Sequence, residues 1–98
     1  MFIINIAVKE NISPAQHESL FIQHVEWFKR HFATENFVIV GPYTDQERSG
    51  VIIANIASRD ELMAVLAEDA YYPDLAIYAV REFSPKMIAE NLHQFQAS

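Results

Sequence analysis

The chain has 98 residues, of which 51% are hydrophobic, 12% aromatic and 20% charged, and only two are glycine. This composition predicts a single folded domain over residues 1–98, with one hydrophobic core, and excludes a disordered chain. Thirteen acidic against seven basic residues give a net charge of −6, which argues against nucleic acid or an anionic membrane surface as a partner.

The first half of the chain predicts a strand, a long helix and two further strands. The β-branched run FIINIAV at 2–8 is typical of a buried strand. Ser13 and Pro14 then fit the N-cap and first position of a helix that runs to about Ala33. FVIVGPY predicts the second strand, and VIIANIA, after the polar connection TDQERSG, predicts the third.

The second half predicts a helix, a strand and a short C-terminal helix. Ser58 caps the helix within SRDELMAVLAED, and Pro73 lies in the turn that ends it. LAIYAVREF predicts the fourth strand, and Ser84-Pro85 opens a last helix on which Ile88, Asn91, Leu92 and Phe95 share a face. We therefore expect a core at 1–84 with a helical extension at 85–98. The βαββαβ order is that of the ferredoxin-like α+β fold.

One face of the predicted sheet has no covering element. Two helices pack on the other face, yet apolar residues at both parities of the first and third strands indicate that both faces are covered. A chain of this length cannot supply the second cover, so we predict a homodimer packed sheet to sheet. The amphipathic C-terminal extension would either clasp the partner subunit or close over a pocket, and the sequence does not choose.

Targeting and redox signals are missing. The chain has no cysteine, so disulfides and thiolate metal sites are excluded. It shows neither a signal-peptide pattern nor an apolar run of spanning length. We expect a soluble, cytoplasmic protein that binds no membrane.

Three histidines lie on one line of the first helix. His17, His24 and His31 recur every seven residues, which keeps them within about 20° of each other in the inward stripe. Neighbours are about 10 Å apart along the axis, so a shared metal ion is excluded and no metal site is predicted. One interpretation is core histidines bonded to backbone carbonyls. For His24, in mid-helix, a partner from another element or a water-filled pocket is an equal alternative.

The spacing of two motifs resembles the YCII-related (YciI-like) family. His24 is followed seventeen residues later by Gly41-Pro42, and the second helix ends at Asp69 within AEDAYYPDLAIYAVREFSP. The resemblance covers roughly residues 1–86. It implies a ferredoxin-like domain that dimerises into an α/β barrel, with a His24–Asp69 pair in a pocket.

The chain departs from the family pattern after Asp69. Ala70 replaces the usual proline, the loop is about one residue shorter and its glycine is missing, although Tyr71 retains the aromatic position and a proline follows as Pro73. The family has no single established activity. Some members act on chlorinated muconolactone-type lactones, and others are regulatory or accessory modules.

The chemistry open to this residue set is proton transfer without a cofactor. A carboxylate bonded to one imidazole nitrogen fixes the tautomer and leaves the other free to exchange a proton. We therefore predict His24 as a general acid/base oriented by Asp69, in lyase or isomerase chemistry on a small acidic or aromatic-derived metabolite. The alternative is a non-catalytic dimeric module that binds a ligand or a protein.

The expected ligand contacts come from these motifs and, for Ser49, from the polar connection between the second and third strands. They are Gly41, Pro42, Tyr43, Ser49 and Tyr71. The two tyrosines fit interface packing equally well, and Ser49 fits a solvated loop. Arg81 would meet an anionic substrate or, as the simpler alternative, form an ion pair with a residue such as Asp74.

Overall fold

The chain folds into a mixed α+β domain, as described by a computed structural model that covers residues 1–97. In chain order the elements are β1 (Phe2–Val8), α1 (Pro14–Ala33), β2 (Phe37–Pro42), β3 (Ser49–Ala54), α2 (Arg59–Leu66) and β4 (Ala76–Glu82). The strands form one sheet in the order β2-β3-β1-β4, and every neighbouring pair is antiparallel. The predicted α+β class and βαββαβ order are confirmed, and the strand order is compatible with a ferredoxin-like fold.

Both helices begin at the serine caps that the sequence predicted. The Ser13 hydroxyl accepts a hydrogen bond from the Gln16 N–H at 3.2 Å, and Pro14 follows it in the first turn. The Ser58 hydroxyl accepts one from the Glu61 N–H, also at 3.2 Å. Within residues 1–97, neither helix has the length and apolarity needed to cross a bilayer.

The core lies between the helices and one face of the sheet. Alternation along β1 buries Phe2, Ile4 and Ile6 on that face. Trp27 of α1 is 1% exposed, and its indole N–H donates to the Val65 carbonyl of α2 at 2.9 Å. A buried indole needs an acceptor, and this hydrogen bond links α1 to α2.

The opposite face of the sheet is apolar and has no cover from residues 1–97. Register pairs Ile3 of β1 with Ile53 of β3, and Ile53 with Ile39 of β2. Ile39 is 37% exposed, and Ile77 of β4 is 60% exposed. We call this surface, defined by Ile3, Ile39, Ile53 and Ile77, the open face.

The predicted C-terminal helix is not present in the described residues. Residues 83–90 form no regular structure, and only a four-residue 3₁₀ helix, Leu92–Phe95, follows. The side chains that were expected to share an apolar face are exposed, Ile88 by 61% and Phe95 by 71%. A short amphipathic segment is helical only when its apolar face packs against another surface, and within residues 1–97 Ile88 and Phe95 have no such cover.

Candidate functional site

A cleft of about 1000 Å³ opens between α1 and the end of the β2–β3 hairpin. Its walls come from the inward face of α1, from the connection between β2 and β3, and from Tyr71. All five predicted ligand contacts line it together with His24, namely Gly41, Pro42, Tyr43, Ser49 and Tyr71. Gln96 lies at its edge, so the C-terminal segment reaches the cleft of its own subunit.

The hydroxyl groups of two predicted ligand contacts, Tyr43 and Ser49, donate hydrogen bonds to other residues of the chain. Tyr43 donates to the Asn5 side chain on β1, and Ser49 donates to the Glu47 carbonyl at 3.0 Å. Gly50 next to Ser49 is required by close packing, because a Cβ there would lie 2.9 Å from the Gly41 carbonyl oxygen. The end of the hairpin is therefore a tightly built wall of the cleft.

The structure brings His24 and Asp69 into direct contact. His24 Nδ1 lies 2.6 Å from Asp69 Oδ1, across 45 positions of sequence. The Asp69 side chain is completely buried, whereas that of His24 is 14% exposed. Asp69 is not part of the cleft lining, so the histidine stands between the carboxylate and the cleft.

The second carboxylate oxygen is held by a tyrosine that was not predicted from the sequence. The Tyr78 hydroxyl on β4 donates to Asp69 Oδ2 at 2.5 Å. Burial, followed by this hydrogen bond and the Asp69 charge, raises the pKa of Tyr78 far above its ordinary value, so the phenol remains a donor. A buried carboxylate needs such donors. With one oxygen accepting from Tyr78, we assign the other as the acceptor of a proton on His24 Nδ1.

His24 lines the cleft, and its Nε2 is the ring nitrogen that Asp69 does not contact. Its ring packs among aromatic rings, with centroid distances of 5.4 Å to Trp27, 5.4 Å to Phe28 and 5.3 Å to Tyr71. Nε2 makes no hydrogen bond to any group in residues 1–97. With Nδ1 protonated, Nε2 carries a lone pair that can accept a proton from a molecule in the cleft.

Asp69 is placed by the turn that follows α2. The helix ends at Leu66, three residues before the predicted end, and the Asp69 N–H donates to the Leu66 carbonyl at 3.1 Å. The Asp69 carbonyl in turn accepts from the Tyr72 N–H at 3.1 Å. This turn places the Asp69 side chain against the middle of α1, where it meets His24.

The other two histidines have side-chain partners, which corrects the expectation of backbone carbonyls. His31 is buried, with Nε2 3.1 Å from Glu68 Oε1 and Nδ1 3.1 Å from the Asn36 amide nitrogen. Both of its nitrogens are thus used inside the protein. His17 lines the cleft, and its Nδ1 lies 2.8 Å from the Tyr71 hydroxyl.

The Tyr71–His17 contact is a second polar pair of the cleft wall. Burial, and next the Asp69 charge, raise the pKa of Tyr71 to about 12. Tyr71 therefore remains protonated at neutral pH; its hydroxyl donates to the His17 carbonyl at 3.3 Å and lies 2.8 Å from His17 Nδ1. Burial also lowers the pKa of His17, and the positive charge of Arg48, together with that of His24 in its protonated form, lowers it further.

The depressed pKa of His17 predicts a loss of stability on acidification. Between the ordinary value of 6.5 and the lower folded value, the unfolded chain binds a proton that the folded chain does not, so the free energy of unfolding falls as pH falls through this window. His17→Asn keeps an acceptor for Tyr71 but does not titrate. Urea unfolding at pH 7.5 and pH 5 should show a smaller acid loss in His17→Asn than in the wild type. An equal loss in both proteins would contradict the prediction.

Two residues of the site were missed at the level of sequence. Tyr78 had a usable signal, because alternation along β4 with buried Ala76 places it on the helix-covered face, where its hydroxyl needs a partner. Arg48, which lines the cleft, had none, because it follows an irregular polar connection. Arg81, weighed as an anion contact, instead pairs in register with Ile3 of the open face.

No protein-family model matches the chain, and no match was found among curated proteins. The resemblance to the YCII-related family therefore stays a prediction that rests on His24, Gly41-Pro42 and Asp69. Residues 1–97 contain no group of three or more His, Cys, Asp or Glu side chains arranged to hold a metal ion.

Proposed function

We propose that this chain is a small YciI-like enzyme that uses His24 and Asp69 for cofactor-independent acid/base chemistry of the lyase or isomerase type. The observation that carries the proposal is the buried Asp69 carboxylate 2.6 Å from His24 Nδ1, with Nε2 left without a partner in a cleft of about 1000 Å³. His31, by contrast, has both of its ring nitrogens bonded to side chains of the protein.

The proposed reaction is proton abstraction beside a carbonyl. His24 Nε2 takes the proton from carbon, and the electron pair of the broken C–H bond moves onto the carbonyl oxygen as an enolate. The proton then returns to a different carbon in an isomerisation, or a halide leaves with its electron pair in an elimination. Asp69 stabilises the imidazolium formed in the first step, and Tyr78 fixes the carboxylate.

The proposal includes a homodimer that packs through the open face into an α/β barrel. Its support is the apolar character of that face, in which Ile77 is 60% exposed. Exposed contiguous apolar surface of this kind marks association sites. The cytoplasmic location stays a prediction from composition.

A non-catalytic dimeric binding module is the second candidate. The observation that favours it is the apolar lining of the cleft, where Phe21 and Phe28 accompany His24. Pockets of this kind, with a few polar groups, also serve to bind small molecules without reaction. In that case Nε2 would donate or accept a hydrogen bond to a bound ligand and no bond would change.

The test is carbon-bound hydrogen exchange in D₂O. A panel of small γ-lactones and keto acids is followed by ¹H NMR for loss of the signal beside the carbonyl. We expect at least one compound to exchange about 10²–10⁴-fold faster with the wild type than with His24→Gln, the range that a positioned acid/base group supplies. The matched control is His93→Gln, at an exposed position in the C-terminal segment, which should keep the wild-type rate.

Two results would contradict the enzyme. Equal exchange rates with the wild type and with His24→Gln would show that His24 does not abstract the proton. Exchange no faster than in buffer for the whole panel, combined with chemical-shift changes of cleft residues on ligand addition, would favour the binding module.

A further inference from the structure

The charged side chains around the cleft are not equivalent. Four residues with permanent charges line it, namely Lys29, Asp45, Glu47 and Arg48. Three of these are exposed, and only Arg48 is half-buried. The ion pairs formed within residues 1–97 involve His24, Arg30 and His31, and none involves Arg48. The cleft therefore contains one half-buried arginine that forms no ion pair with a carboxylate of the described chain.

The backbone holds Arg48 in a specific position. Its φ is 50°, in the left-handed region that non-glycine residues seldom adopt. Its carbonyl accepts a hydrogen bond from the Val8 N–H at 2.9 Å, which ties the end of the β2–β3 connection to the end of β1. The backbone that carries the Arg48 side chain is thus tied to β1.

The Arg48 charge is felt by the polar groups of the cleft wall. It contributes to the lowered pKa of His17, after burial, and it partly offsets the raised pKa of Tyr71. Both residues line the cleft beside His24. An anion in this cleft would consequently meet the Arg48 charge close to the proposed reacting group.

We infer that Arg48 is a binding residue for a carboxylate of the molecule that occupies the cleft. This inference rests on the proposed function in one respect, that the cleft is the ligand site. A carboxylate is the planar group that a guanidinium binds through two parallel hydrogen bonds. A dianionic phosphate is disfavoured because a single half-buried cation is present and the exposed Asp45 and Glu47 lie around the same cleft.

The test compares benzoate with benzamide, which has the same ring but no charge. Binding is measured by ¹H–¹⁵N chemical-shift titration of the full chain. We expect the wild type to bind benzoate about tenfold or more tighter than benzamide, the range of a charge-assisted hydrogen bond pair, with shifts centred on Arg48, His17 and Tyr71. Arg48→Gln should abolish the preference, and Arg48→Lys, which keeps the charge without the fork, should retain part of it.

The matched control is Lys29→Gln, which removes an exposed cation from the same cleft. It should change the benzoate preference by no more than about twofold, because an exposed charge contributes little. The inference is overturned if Arg48→Gln keeps the preference, if Lys29→Gln loses it instead, if benzoate shifts no cleft residue, or if phenyl phosphate binds more tightly than benzoate.

The result is separable from the fate of the enzyme proposal. Benzoate has no hydrogen beside its carbonyl to abstract, so its binding reports on Arg48 alone. A lost preference in Arg48→Gln together with no exchange activity in the D₂O experiment would support the anion site in a binding module. If Arg48→Gln keeps the preference for benzoate while hydrogen exchange depends on His24, the carboxylate-binding role of Arg48 is refuted and the proposed enzyme function is supported.

Discussion

Replacing Asp69 with asparagine is expected to reverse the tautomer of His24 and to lower any proton-transfer rate by about 10³–10⁴-fold, the loss seen when a histidine base is held in the wrong tautomer. Tyr78 continues to donate to the oxygen at position 69, which turns the asparagine amide nitrogen toward His24. The amide nitrogen can only donate, so Nδ1 becomes an acceptor and the proton moves to Nε2. A protonated Nε2 cannot abstract a proton from a molecule in the cleft.

The tautomer can be measured without a substrate. Two-bond ¹H–¹⁵N correlations of the imidazole distinguish a protonated Nδ1 from a protonated Nε2, and we expect the first in the wild type and the second in Asp69→Asn. Asp74→Asn, in the exposed part of the same turn region, should leave the His24 spectrum unchanged. An identical His24 tautomer in the wild type and Asp69→Asn would mean that the 2.6 Å contact does not orient the ring.

The fold was predictable because its signals are local. Ser13 and Ser58 cap the helices where the sequence placed them, and β1 coincides with the predicted run at 2–8. Such signals involve residues within one or two turns of each other. β3 instead spans Ser49–Ala54, two residues earlier at its start and three earlier at its end than the predicted VIIANIA. The prediction of a C-terminal helix was wrong because apolar spacing favours a helix only when another surface packs against the apolar face. Ile88, on that predicted face, is 61% exposed.

The site was predictable only as far as helix geometry extends. The seven-residue spacing placed the three histidines on one face of α1, but it could not tell His17 and His24, which each bond through Nδ1 alone, from His31, which bonds through both ring nitrogens. That distinction depends on Asp69, Glu68 and Asn36, which come from other positions of the fold. Resemblance to a family paired His24 with Asp69, whereas periodicity alone had no means to bring together residues 45 positions apart.

The remaining members of the site come from long-range placement. Tyr78 reaches Asp69 because β4 runs beside β1 under the turn after α2. Arg48 reaches the cleft through a left-handed backbone position fixed by Val8. A positive φ at an arginine has no sequence signature of the kind that glycine provides, so this residue could be found only in the structure.

The substitution Ile53→Asp is expected to convert the proposed dimer to a monomer. Ile53 lies on the open face of β3, between Ile3 and Ile39 in register. Packing two copies face to face would bury the introduced carboxylate beside Ile3 and Ile39, and desolvating a charge there costs several kcal/mol. We therefore expect the dissociation constant to rise by about 10²-fold or more. Sedimentation velocity over a range of micromolar concentrations measures the change.

The matched control is Ile22→Asp, which introduces the same charge on the exposed side of α1, where Ile22 is 59% exposed. It should leave the dimer intact, because sheet-to-sheet packing keeps α1 at the outside of the assembly. Ile53→Asp should also retain the wild-type His24 tautomer, since His24 and Asp69 lie on the helix-covered side of the sheet. A wild type that sediments as a monomer would refute the dimer outright. If Ile53→Asp remains a dimer, the interface does not lie on the open face. The next surface to test would then be the exposed C-terminal segment around Phe95.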